Sequence, residues 1–196
     1  MRIIGGIASG RLLRSPKGYD VRPTPDLVRQ AVFNSLGARV EGARVLDLFS
    51  GSGALGLECL SRGALTVLSV DKVQRNALLI RRNCGDLELP CERLRVRVQD
   101  VFVALHQLME AGDTFDLILA DPPFGPKNVG RRSESCSQRL LDLEAFPNLL
   151  TEDGLFVLGH ATRDQVTPTP WWTERKVMKH GDSSMRFLLR NMSVER

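Results

Sequence analysis

The sequence predicts a doubly wound α/β fold with a mostly parallel sheet, and three observations predict it. Apolar strand-like runs alternate with helical patterns through Leu150, which calls for right-handed strand–helix–strand crossovers. A glycine turn, Gly51-Ser52-Gly53, joins the strand around Val45–Leu48 to a helical pattern from Ala54 to about Arg62. Acids stand at the ends of successive apolar runs: Asp47, Asp71, Asp100 and Asp121.

Taken in chain order, residues 1–14 read as a β-hairpin appendage. Thr24-Pro25 is a start signal, cap then first-turn proline, for a helix Pro25–Leu36 whose apolar positions Val28, Val32 and Leu36 recur every four residues. The alternating run Arg93–Gln99 reads as a strand with arginines on one face, and Phe115–Ala120 as a buried parallel strand. After Leu155–Leu158 come Glu174–Lys179 and Met185–Asn191, joined by His180-Gly181-Asp182-Ser183. That pair reads as an antiparallel hairpin at one edge, which makes seven strands in all.

The corner Asp121-Pro122-Pro123-Phe124 carries the most information. Neither proline can donate to a strand ladder and each restricts the residue before it, so the strand ends in stiff backbone with free carbonyls. Open α/β sheets bind ligands at that carboxyl edge. A carboxylate, a fixed carbonyl and a flat ring suit a planar amine on a nucleobase. The base would stack on Phe124 while Asp121 and the Pro122 carbonyl accept from its exocyclic amino group. A tight turn with a core Phe is the structural alternative.

Gly51-x-Gly53-x-x-Gly56, with Asp71 twenty residues beyond Gly51, matches the dinucleotide pattern that NAD proteins also carry. Asp47 argues otherwise, because four residues before Gly51 it would repel a pyrophosphate and attract an ammonium group. S-adenosylmethionine fits better. It has an amino-acid end for Asp47 and the turn Ser50, Gly51, Ser52 and Gly53, and a ribose diol for Asp71 and its neighbour Lys72. Its adenine suits the Asp100 carboxylate and the Val101 N–H, and it has no phosphates. Capping a helix is a second, compatible role for Asp100.

Composition fits one soluble domain spanning residues 1–196, with 42% apolar residues and no run approaching a membrane span. No apolar stretch of a signal peptide stands at the amino terminus, so a cytoplasmic location is expected. Cys59, Cys84, Cys91 and Cys136 lack metal spacing and read as free thiols, with no zinc. Charge is uneven. Residues 1–40 hold seven Lys/Arg against Asp20 and Asp26, a balance of +5, whereas the remaining 20 basic and 21 acidic residues balance to −1. A basic extension on a neutral body points to phosphates, with Arg11, Lys17 and Arg22 as candidate contacts. Arg131-Arg132, after the proline corner, is a second basic patch that could clamp RNA or simply be a soluble loop.

The residues resemble a known group at this point. Asp47-Leu-Phe-Ser-Gly-Ser-Gly53 with Asp121-Pro-Pro-Phe124 looks like the S-adenosylmethionine-dependent methyltransferases of exocyclic base nitrogens. Met1–Gly6, Gly10-Arg11, Arg22-Pro23-Thr24 and Val28–Asn34 narrow the likeness to the bacterial RsmD family, as do Ala54–Glu58 and Ser61–Ala64. That resemblance implies the seven-stranded methyltransferase sheet and methylation of N2 of one guanine in 16S rRNA, free or in an assembling small subunit. Apart from the resemblance, the helix Pro25–Leu36 is expected to pack on the sheet and carry Arg22 and Thr24 over the cofactor's amino-acid end, and a monomer without metal is expected. Two departures stand out: the loop Gly125–Gln138 is longer, more basic and serine-rich, and Gly159-His160 stands where Glu-His is usual. Methylation of adenine N6 or cytosine N4, NAD-linked oxidoreduction, and non-catalytic RNA binding in assembly remain open alternatives at this point.

Overall fold

The computed structural model describes residues 1–15, 25–125 and 132–193. Its sheet holds β1 (Arg44–Leu48), β2 (Thr66–Asp71), β3 (Leu94–Val98), β4 (Phe115–Ala120), β5 (Leu150–Ala161), β6 (Trp172–His180) and β7 (Ser183–Arg190). The spatial order is β3-β2-β1-β4-β5-β7-β6. Strands β1 to β5 pair in parallel, and β7 lies antiparallel between β5 and β6. The expected edge hairpin is present. Its turn is Gly181-Asp182, where Gly181 takes the left-handed conformation (φ 57°).

Among the described residues, five α-helices cover the sheet: α1 (Asp26–Leu36), α2 (Ala54–Ser61), α3 (Gln74–Asp86), α4 (Val101–Ala111) and α5 (Cys136–Asp142). Successive strand residues face opposite ways. Val45, Val67, Leu117 and Val157 pack with Val28, Phe33, Leu57 and Cys84 in the layer of α1–α3. Leu46, Val70, Ile118 and Phe156 pack with Leu105 and Leu140 in the layer of α4 and α5. Burial on both faces explains why these strands read as continuous apolar runs.

That alternation sets the chemistry. Asp47, Asp71, Asp121 and Gly159 each lie two or four residues beyond a strand position facing α1–α3, so their side of the sheet is the same. The chain moves outward from β1 to β3 and then returns to β4 on the other side of β1, so strand order reverses between β1 and β4. Ligand crevices open at the carboxyl ends of such a switch point. The register pair Leu48↔Ala120 brings the glycine turn and the proline corner out side by side.

The first residues form an extension, but a single bridge between Arg2 and Leu12 stands where a regular hairpin was expected. Ile3, Ala8 and Leu13 sink into the core instead. The fully buried Glu58 of α2 holds this segment, accepting from the N–H groups of Ile4 and Gly5, both at 2.8 Å. Ser61 receives the Ala8 N–H and donates to the Gly5 carbonyl. Gly6 passes so close to the Ser61 carbonyl that a methyl group there would collide with it. The α1 start also differs: Pro25 occupies the cap position itself, with no side-chain cap, and Thr24 lies outside the described residues.

The reading of four free thiols is corrected. Cys84 and Cys91 form a disulfide, with Cα atoms 5.9 Å apart, while Cys59 and Cys136 are free. Chain reversal after α3, with Glu88 in a left-handed conformation (φ 52°), returns Cys91 to the end of the helix. Among the described residues, no helix is long and apolar enough to cross a membrane.

Candidate active site

The glycine turn is held from three directions. Ser50 donates its hydroxyl to the Asp47 carbonyl at 2.7 Å and to the Val70 carbonyl at 3.2 Å. The Gly51 N–H donates to Asp71 Oδ2 at 2.8 Å. The Ser52 carbonyl accepts from Asn83 Nδ2 at 3.0 Å, and that buried amide also ties down the backbone of Arg14. Gly53 turns into α2 at φ 81°, which glycine adopts without steric cost. Phe49 adopts φ 56° just before the turn, a conformation that strains a bulky residue. Its ring meets Phe102 edge-on at 6.3 Å, and the Arg139 guanidinium lies 3.8 Å from the Phe102 ring centre. Asn83 and Arg139 were not singled out in the sequence, because only the folded chain brings them to this region.

Asp47 is buried at the end of β1. Its Oδ2 accepts from the Gly56 N–H at 3.2 Å and the Ser69 hydroxyl at 3.4 Å, while Oδ1 is buried with no hydrogen-bond partner among the described residues. Burial pushes its carboxyl up to about 7, against the lowering effect of the Gly56 N–H. A buried, orphaned acceptor beside a glycine turn is suited to a cationic donor. The residues fit the ammonium end of S-adenosylmethionine.

Asp71 is buried at the end of β2 and takes three donors: Gly51 N–H, Val73 N–H and Asn76 Nδ2. A carboxylate offers about four acceptor positions, so one position remains for a hydroxyl. Lys72 beside it is exposed. Asp100 caps α4, accepting from Phe102 N–H at 2.9 Å and Val103 N–H at 3.4 Å. Val101 buries its side chain in the layer below.

At the end of β4, Asp121 is half-buried, Pro122 buried and Pro123 exposed. Phe124 is 45% exposed, so its ring is not the core residue that the structural alternative called for. Three buried serines adjoin it. Ser133 donates to Ser135 at 2.9 Å, Ser135 caps α5 through the Gln138 N–H, and Ser137 donates to the Gly159 carbonyl at 2.9 Å. The serine-rich loop thus contributes an ordered end of α5, which composition alone did not reveal. His160 is buried next to Gly159, and burial, then the Arg186 charge, hold its pKa below the usual value. Its Nε2 accepts from Arg186 Nε, so the proton sits on Nδ1 and is donated to the Ala161 carbonyl.

The basic candidates divide. Arg11 donates to the Leu87 carbonyl and pairs with Glu88 at 2.7 Å, and Arg132 pairs with Asp142. Lys17, Arg22 and Arg131 lie outside the described residues.

A family model described as conserved hypothetical protein 95 matches residues 1–189. The chain belongs to that family, the RsmD family. It is 37% identical over 175 residues to the protein named Ribosomal RNA small subunit methyltransferase D of Haemophilus influenzae, covering 87% of this chain and 84% of that one. A solved structure named "Putative methyltransferase yhhF from Escherichia coli" superposes with a TM-score of 0.75 at 30% identity, over 97% of each chain. A solved structure named "SMU.776, a putative methyltransferase complexed with SAH" matches 83% of this RsmD-family chain and 48% of its own at a TM-score of 0.65; at 19% identity that likeness is one of fold.

Proposed function

We infer that this RsmD-family chain is an S-adenosylmethionine-dependent rRNA methyltransferase, and that its target is the exocyclic N2 of a guanine in the small-subunit rRNA. The observation that carries the reading is the β4 corner, where a half-buried Asp121 and an exposed Phe124 flank rigid prolines at the sheet's switch point. Bound S-adenosylmethionine supplies an electrophilic methyl group. Everything else falls to the chain.

Asp47 and the turn Ser50–Gly53 hold the amino-acid end, Asp71 the ribose diol, and Asp100 with Val101 the adenine. Phe124 stacks the base, which has to leave its helix to enter such a site. Asp121 Oδ and the Pro122 carbonyl accept from the two N2 protons. Those bonds would favour a pyramidal nitrogen and free its lone pair from the ring. Placement of the two reactants supplies much of the remaining rate. Asp121 is also the nearest group in this scheme to accept the departing proton.

RNA is held by the basic extension. The exposed Arg11–Glu88 pair is worth about 0–1 kcal/mol, so a phosphate can compete for Arg11. The cytoplasm is the expected location. The decisive experiment incubates the protein with labelled cofactor and small subunits lacking modification, naked 16S rRNA, or DNA, and maps the label. Label on guanine N2 of the rRNA is expected, and label confined to adenine or cytosine would overturn the assignment.

Two binding predictions follow from the site. Asp71→Ala should weaken S-adenosylhomocysteine binding by about 1.5–3 kcal/mol by titration calorimetry, the scale for hydrogen bonds to a charged group. Unchanged affinity in the folded variant would remove Asp71 from the site. The second concerns pH. Asp47 in the folded chain ionises near 7, whereas an exposed Asp ionises near 4. The folded state therefore holds the proton longer, and this group makes stability fall as pH rises across that interval. Ammonium capture needs the ionised form, so cofactor affinity should rise about tenfold from pH 6 to pH 8. Asp47→Asn should abolish that rise, and a rise that persists in the variant belongs to another group.

A further inference from the structure

Gly159 sits at the carboxyl end of β5, one residue past the register pair Ala120↔Leu158, and is therefore the direct neighbour of Asp121. Both lie on the α1–α3 side of the sheet. Gly159 is buried, and its φ is not in the left-handed region, so its backbone is one that any residue could adopt. What the position lacks is room. A methyl group built on Gly159 would overlap Asp121 Oδ1 and come within 3.0 Å of its Cγ and 3.3 Å of its Cα. In this chain, which has Gly159 where Glu is usual, the Asp121 carboxylate fills the volume that a side chain at 159 would occupy.

Adjacent elements fix that arrangement. Ser137 donates to the Gly159 carbonyl and joins the start of α5 to this point of β5. On the next residue, His160 is held at both ring nitrogens, by the Ala161 carbonyl and by Arg186. Arg186 in turn pairs with Glu174 of the edge strand β6. The backbone of Gly159 is thus anchored on one side and followed by a fully engaged ring on the other. It has little freedom to move away from a crowded Asp121. The carboxylate is the element that yields, because an Asp side chain rotates cheaply about its first bond compared with a displaced strand.

We propose that Gly159 is a positioning residue for methyl transfer, whose missing side chain sets the rotamer of the Asp121 carboxylate. The inference rests on the role given to Asp121 above. In Gly159→Ala the carboxylate swings away by an amount on the order of 1 Å, and misplacement on that scale costs about 100-fold in rate. Cofactor contacts lie on β1, β2 and the start of α4, and they remain.

The test compares Gly159→Ala, Asp121→Ala and the double variant with the wild type. It reads single-turnover methylation of the rRNA substrate, S-adenosylhomocysteine affinity and thermal unfolding. Gly159→Ala should lower the methylation rate about 100-fold while leaving cofactor affinity within twofold. The double variant should be no slower than Asp121→Ala, because the methyl group acts only through the carboxylate. A fully active Asp121→Ala would sink the role of Asp121 itself. An inactive Asp121→Ala beside a Gly159→Ala of wild-type rate would overturn the positioning inference alone. So would a double variant much slower than Asp121→Ala. Should Gly159→Ala fail to fold, removing the carboxylate in the double variant should restore folding. An unfolded double variant would show that the space at 159 serves packing and not Asp121.

Discussion

Asp121→Ala is expected to lower turnover about 100-fold or more while cofactor affinity stays near that of the wild type. Removal of a hydrogen-bond acceptor that acts in the transition state has that signature: kcat falls and binding does not. The separation is built into the sheet. Asp121 follows β4, whereas Asp47, Asp71 and Asp100 belong to β1, β2 and the start of α4. Single-turnover rates with saturating cofactor check the prediction directly. A variant retaining most of its activity would reduce the acid-Pro-Pro corner to a structural turn and remove the mechanism proposed for it.

Glu58→Ala should have the largest effect on stability, about 3–5 kcal/mol, the range for removing one partner of a buried charge pair. Glu58 and Arg29 are both fully buried, 4.0 Å apart, and Arg29 Nε and Nη1 have no hydrogen-bond partner among the described residues. Among the described residues, only Asp26 and the Arg2 carbonyl would then hydrogen-bond that guanidinium. The same carboxylate accepts from Ile4, Gly5 and Arg62, so its loss also frees the amino-terminal segment. Urea unfolding should show the loss, and limited proteolysis should show cutting within the first fifteen residues. A change under about 1 kcal/mol would mean that water replaces the carboxylate and that the segment is held by its apolar residues alone.

The parts of this molecule that were legible in its sequence are those whose cause is local. Apart from Asp116, which pairs with Arg44, Phe115–Ala120 is apolar because both faces of β4 are covered, and the two prolines that follow mark its end. Gly51 to Gly53 announce a turn, and Asp100 announces a helix cap, which α4 has. The missed parts depend on residues brought together across the chain. Glu58 looked like one more polar residue in α2, yet its partners lie 53 and 54 residues away. Asn83 joins Arg14 to Ser52 across 69 and 31 residues. The Cys84–Cys91 pair needed the reversal at Glu88, and Gly159 needed the register between β4 and β5.

The fastening of the glycine turn has a kinetic consequence. Gly51 is held by Asp71, Ser52 by Asn83, and Ser50 by the backbones of β1 and β2. A turn already tied at each residue has little conformational freedom left to surrender when a ligand arrives. Capture of the small molecule can then proceed without waiting for the loop to rearrange, and variants of the turn's fastenings should slow arrival as well as hasten escape. Cutting the Asn83 amide with Asn83→Ala would loosen the turn and the Arg14 segment together. The glycine turn and the Arg14 end of the first described segment are thus fastened by one and the same side chain.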